Sequence, residues 1–215
     1  MTGPSSDLTL FGLSLLLPVL LTILLATKAL SLMFREPRPV DWKDFPEYDA
    51  LALRMQVRLS PLKRWGVARI GGVARTNAIR GQVIFDSKSF FKLAPEERLA
   101  VTAHELGHIK GRHSLFAALI LFCGNAVAIV LALEGEVLLP TIAWFAFFFI
   151  MVYYRRRGEY QADLAAAKYV QPTSMISALL RFQSPTRRYE RFFGGLTHPP
   201  IGARIERLRR LGPSR

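Results

Sequence analysis

The chain has 215 residues, 51% of them hydrophobic, with a mean hydropathy of +0.22 and a single cysteine, Cys123. These values exclude a disordered chain, a collagen-like repeat and a disulfide scaffold, and leave one medium domain or a small domain with membrane segments. The 29 Lys+Arg against 16 Asp+Glu give a formal charge of +13, an excess that points to nucleic acid or an anionic membrane surface.

From Leu8 to Thr27 there is no charged residue. Twenty residues at about 1.5 Å each span about 30 Å, the thickness of a bilayer core. The positive charge that precedes the apolar run of a signal peptide is missing, so this stretch reads as a retained membrane helix within residues 1–34. Pro46 to Ser60 carries Leu, Met and Val at helical spacing and predicts a helix stopped by Pro61. Between Trp65 and Asp86, Gly71, Gly72 and Gly81 separate Val67–Ile70, Arg75–Ile79 and Gln82–Asp86, which predicts a small antiparallel sheet. Ala94-Pro95-Glu96-Glu97 opens another helix, with proline and carboxylates where a first turn favours them.

Two further uncharged runs follow, Ser114–Leu133 and Val137–Tyr154, separated by Glu134-Gly135-Glu136. They predict a transmembrane hairpin. Pro199–Leu211, with Ile201, Ile205, Leu208 and Leu211 at helical spacing, predicts an amphipathic helix packed on the domain. The expected fold is a mainly α membrane protein, with three transmembrane helices and a cytoplasmic α+β part holding the small sheet. Its divisions are 1–34, 35–113, 114–154 and 155–215.

Charge sets an orientation. Fifteen Lys+Arg lie in 35–113 and thirteen in 155–215, with none before Leu8 or in the Glu134 turn. By the positive-inside rule the amino-terminus and that turn face outward, and both basic segments face the cytoplasm of a multi-pass inner-membrane protein. The bilayer then accounts for most of the charge. Nucleic acid is not expected as a partner, because no zinc-finger spacing, basic zipper or RNP signature is present.

The chemistry concentrates in Val101-Thr102-Ala103-His104-Glu105-Leu106-Gly107-His108. His104 and His108 are four apart, so on a helix both imidazoles project from one face and can grip one ion. Glu105 beside them can take a proton from water held in an open coordination position. If this helix continues into the span at Ser114, His108 lies about 9 Å from the boundary, and Glu159 lies about 7.5 Å from the matching boundary at Tyr154. His104 and Asp163 are level by the same arithmetic. Glu159 is therefore expected as third ligand and Asp163 as hydrogen-bond partner of His104. His113 competes for the third position, but after Gly111 the metzincin spacing calls for a ligand at Ser114, so a structural or interfacial role is preferred. His198, before Pro199-Pro200, is a rigidly held imidazole that could donate to an oxyanion near the metal. Cys123 lies in a span and no redox role is expected.

Thr76-Asn77-Ala78, the His104–His113 run, Glu159-Tyr160-Gln161-Ala162-Asp163, and Thr197-His198-Pro199-Pro200 with Arg204-Ile205 occur in that order. Together they resemble the M48 family of membrane zinc peptidases, which includes HtpX-type quality-control proteases and CAAX prenyl endopeptidases. The resemblance implies a zincin-like catalytic domain of the gluzincin kind. It implies one Zn2+ on His104, His108 and Glu159, with Glu105 as general base, Asp163 behind a ligand and His198 assisting the transition state. It also implies that the Asn77-Ala78 strand pairs with an extended polypeptide substrate. The chain departs from the HtpX-type pattern in having one apolar segment before the catalytic helix where two are usual. CAAX-type cleavage is the alternative within the family. An adaptor without catalysis, holding anionic lipid or a partner through its arginines, is the alternative outside it. Lys110 and Arg112 argue against a site sunk within a span.

Overall fold

A computed structural model describes residues 20, 38–39, 46–61, 64–70, 72–77, 80–134, 138–182 and 198–212. In chain order the elements are β1 (Arg38–Pro39), α1 (Pro46–Arg54), β2 (Trp65–Ala68), β3 (Ala74–Asn77), β4 (Gln82–Asp86) and a 3-10 turn (Phe90–Lys92). They are followed by α2 (Pro95–Lys110), α3 (His113–Leu133), α4 (Leu138–Ala167), α5 (Pro172–Phe182) and α6 (Ile201–Arg209). Two compact units result, residues 1–36 with 116–154 and residues 37–115 with 155–215, so the division falls inside α3 and inside α4. The expected amino-terminal membrane helix lies outside the described residues, apart from Leu20.

In the first unit, α3 and α4 are each long and apolar enough to cross a membrane. Ala117, Met151 and Val152 are buried between them, and Trp144 stacks on Phe148. A Cβ on Gly124 would stand 2.5 Å from the Cβ of Phe147, so glycine permits this close approach. Phe122, Leu133, Leu138 and Phe149 point outward, an apolar exterior that water would penalise.

The second unit is built on four strands in the order β1-β2-β4-β3. The sheet is mixed where an antiparallel one is expected: β2 and β4 run parallel, while β1–β2 and β3–β4 are antiparallel. Burial explains the order. Every residue of β4 is buried, which suits the strand between two neighbours, whereas β3 carries the exposed Arg75 and takes the edge. Trp65 stacks on Phe85 and Phe85 on Phe90, with Tyr48 against all three. Leu51, Met55, Val101, Ala103 and Leu106 complete the core, so one face of α2 is fixed against α1 and the sheet.

Two helices end earlier than their sequence pattern implies. α1 stops at Arg54 because Gln56 turns left-handed (φ 56°) while its N–H bonds Leu53 O and that of Val57 bonds Ala52 O, a Schellman closure. α2 stops at Lys110, where Arg112 is left-handed (φ 50°) and its N–H bonds Ile109 O. The motif helix therefore does not continue into the apolar run, and α3 starts afresh at His113. α5, for which the sequence reading has no counterpart, packs Met175 and Leu179 on Ile205 and Leu208 of α6.

Candidate metal centre

The platform is α2. Pro95 occupies its first turn, and the Glu97 carboxylate accepts from Ala94 N at 2.9 Å, from Ser177 Oγ at 2.5 Å and from Arg181 Nε at 2.8 Å. At the other end Lys110 Nζ donates to Met55 O at 2.9 Å. Midway, a Cβ on Gly107 would stand 3.0 Å from Ala162 Cα. The small residues let α2 approach α4 between the two histidine positions.

That approach brings His104, His108 and Glu159 together, with one donor atom from each lying within 4.8 Å of the others. The two Nε2 atoms are 3.1 Å apart. Glu159 Oε2 is 3.6 Å from His104 Nε2, and Oε1 is 3.4 Å from His108 Nε2. His198 Nε2 also lies 3.4 Å from Glu159 Oε1. Burial would raise the Glu159 carboxyl, but the facing imidazoles hold it well below its ordinary range. Two imidazoles and a carboxylate are a donor set that could hold a divalent ion.

Asp163 Oδ1 sits 2.9 Å from His104 Nδ1, on the ring edge away from the cluster. Burial disfavours a proton on His104, yet the Asp163 and Glu159 carboxylates outweigh it and lift the imidazole to about 9. Arg204 of α6 supplies positive charge to both carboxylates. Its Nε and Nη2 grip Asp163 at 2.8 and 2.7 Å, and its Nη1 reaches Glu159 Oε2 at 3.1 Å.

Glu105 meets β3. Its carboxylate and its carbonyl oxygen both accept from Thr76 Oγ1, the latter at 3.2 Å. Along β3, Asp86 N bonds Val73 O, which fixes the alternation given the register Ala74↔Phe85 to Asn77↔Gln82. Arg75 and Asn77 turn their backbone groups to β4, and Ala74 and Thr76 turn theirs to the open edge. The Asn77 side chain is buried and accepts from Arg80 N at 3.1 Å, closing the β3–β4 turn. Ala78 lies outside the described residues.

His113 is buried, and its Nδ1 is 2.9 Å from His108 Nδ1. This places it on the ring edge of His108 opposite the cluster, not among the three clustered donors. Burial and the neighbouring His108 push it down to about 4, so it is neutral near pH 7. Three residues were given no role by the sequence reading: Arg204, Thr76 and Gln161. Arg204 carried a usable signal, since it lies four residues before Leu208 and three after Ile201, on the face of α6 that packs inward. Thr76 and Gln161 carried none beyond adjacency to named residues.

A histidine pair one turn apart, a carboxylate beside it and a third donor from another helix have the arrangement of a metal-dependent hydrolase centre. Residues 59–211 match the model of peptidase family M48, and the chain belongs to that family. It is 28% identical over 165 residues to the "Protease HtpX" of Pseudomonas putida (strain GB-1), covering 56% of this chain and 55% of the relative. It is 28% identical over 158 residues to the "Protease HtpX homolog" of Methanocaldococcus jannaschii, covering 54% of this chain and 56% of that one. The chain spans about half the length of the curated relatives it matches.

Proposed function

We propose that the protein is a membrane-bound zinc endopeptidase that cleaves unfolded or membrane-associated polypeptides at the cytoplasmic face, a quality-control activity. The observation that carries this reading is the convergence of His104, His108 and Glu159 beside Glu105. The relatives named as proteases and membership of the peptidase family support the reaction class. The basic segments on the same side of the apolar runs support the orientation.

Zinc suits two imidazoles with one carboxylate, and when bound it supplies Lewis acidity toward a carbonyl and toward water. Asp163 holds His104 with Nε2 turned to the ion. Glu105, steadied by Thr76, accepts the proton of the attacking water and returns it to the leaving amine. His198 donates to the oxyanion that develops on the scissile carbonyl. The open edge of β3 offers the backbone groups of Ala74 and Thr76 to an extended substrate, so the peptide runs past Glu105. Asn77 serves this edge by holding its turn, and Ala78, outside the described residues, is assigned with it to substrate binding.

Chelation should abolish cleavage of an unfolded protein by the detergent-purified chain, and added zinc should restore it. Cleavage that persists through complete metal removal would contradict the reading.

A further inference from the structure

His113 belongs to none of the roles assigned above, yet it is buried and both of its ring nitrogens are placed. Its Nδ1 meets His108 Nδ1 at 2.9 Å, and its Nε2 meets Gln161 Oε1 at 3.1 Å. The slot around it is made by two glycines. A Cβ on Gly111 would stand 2.2 Å from His113 Nε2, and one on Gly158 would stand 3.1 Å from its Cγ. Gly111 has an ordinary φ of −77°, so space, not backbone conformation, is what demands glycine there.

Proton direction follows from the partners. An amide oxygen only accepts, so His113 Nε2 must donate to Gln161. His108 Nε2 lies in the donor cluster, 3.4 Å from Glu159 Oε1 and 3.1 Å from His104 Nε2, so it must keep its lone pair there to hold an ion. The proton of that ring then sits on Nδ1, which donates across the 2.9 Å contact to His113 Nδ1.

We propose that His113 and Gln161 form a hydrogen-bonded chain that locks His108 with Nε2 facing the metal, making both of them positioning residues for the ion. The inference rests on the metal-site reading above and extends it to residues outside the ligand set. His104 achieves the same tautomer through a carboxylate, whereas His108 achieves it through an imidazole and an amide. Groups behind a ligating histidine are worth about ten to a hundredfold in metal affinity.

The test is zinc affinity of the full chain in detergent, measured by competition with a chromophoric chelator, together with the visible spectrum of the cobalt-substituted protein. His113→Ala should bind zinc about ten to a hundredfold more weakly and shift the cobalt bands. Gln161 is exposed, so its variants keep the test independent of folding. Gln161→Leu should weaken zinc several-fold, about a factor of three to ten for one lost hydrogen bond. Gln161→Glu, which still accepts from Nε2, should restore the parent affinity or exceed it. Affinities and cobalt bands equal to the parent in His113→Ala and Gln161→Leu would overturn the proposal. A parent that binds no zinc, or binds it equally well after His104→Ala, would overturn the metal-site reading and this inference with it.

Discussion

The two imidazoles of α2 lie one turn apart and face the same point, but the structure backs them with opposite chemistry. Behind His104 stands a buried carboxylate, Asp163, itself gripped by the guanidinium of Arg204. Behind His108 stand a neutral imidazole and an amide. The charged backing burdens the fold with buried ions that need one another. The neutral backing orients its ring with no ion to bury. The candidate centre thus orients one imidazole through an ion pair and the other through an imidazole and an amide.

Removing the shared cation should disturb this contrast most. Arg204→Leu leaves Asp163 and Glu159 buried with less compensation, and unfolding of the metal-free protein should register a loss of about 3–5 kcal/mol. A loss below about 1 kcal/mol would mean that the ion pairs on Asp163 and Glu159 are better hydrated than their burial implies. Asp163→Ala should then weaken zinc binding by about ten to a hundredfold, and an unchanged affinity would remove the charged backing from the account.

Asp86 shows the neutral strategy applied to an anion. It is buried on β4, where among the described residues no arginine or lysine side chain bonds it, and it accepts from Ile70 N, Lys88 N, Ser89 N and Ser89 Oγ. Burial would raise its carboxyl, but these bonds hold it at about 2. Because the folded value lies below the unfolded one, the contribution is complete above about pH 4 and is lost as pH falls through about 2. It amounts to about 2 kcal/mol at neutral pH. Asp86→Asn should lower stability by a similar amount and flatten its pH dependence over that window, as unfolding at a series of pH values would reveal.

The smallest effect concerns the base. Thr76→Val removes one hydroxyl from Glu105, and turnover should fall about three- to tenfold with zinc affinity unchanged. A change in affinity instead would mean that β3 acts through the metal ligands.

How much of this was legible in the sequence follows the reach of each interaction. His104, Glu105 and His108 show in the local pattern, because helical spacing alone puts the two imidazoles on one face. Glu159 and Asp163 were placed by counting residues along two helices, although α2 breaks at Arg112 and does not continue as the count assumed. The count survives because only Gly111 and Arg112 fall outside helix, an error of about 3 Å, less than one turn. The strands were legible but not their order, since the parallel β2–β4 pairing joins residues eighteen apart in sequence, and alternation says nothing about neighbours. Arg204 lies 100 residues from His104, and no local pattern announces such a contact, although its position on the inward face of α6 marked it as unusual. His113 was read as structural or interfacial. Its contact with His108 depends on the left-handed turn at Arg112, a conformation that the arginine itself does not advertise.

The most direct test is cleavage of casein by the zinc-loaded, detergent-purified chain beside Glu105→Gln prepared identically. Cleavage by the parent alone, with zinc bound equally in both, is the predicted result. Equal cleavage by both proteins would contradict the account, because the water would then be activated without Glu105.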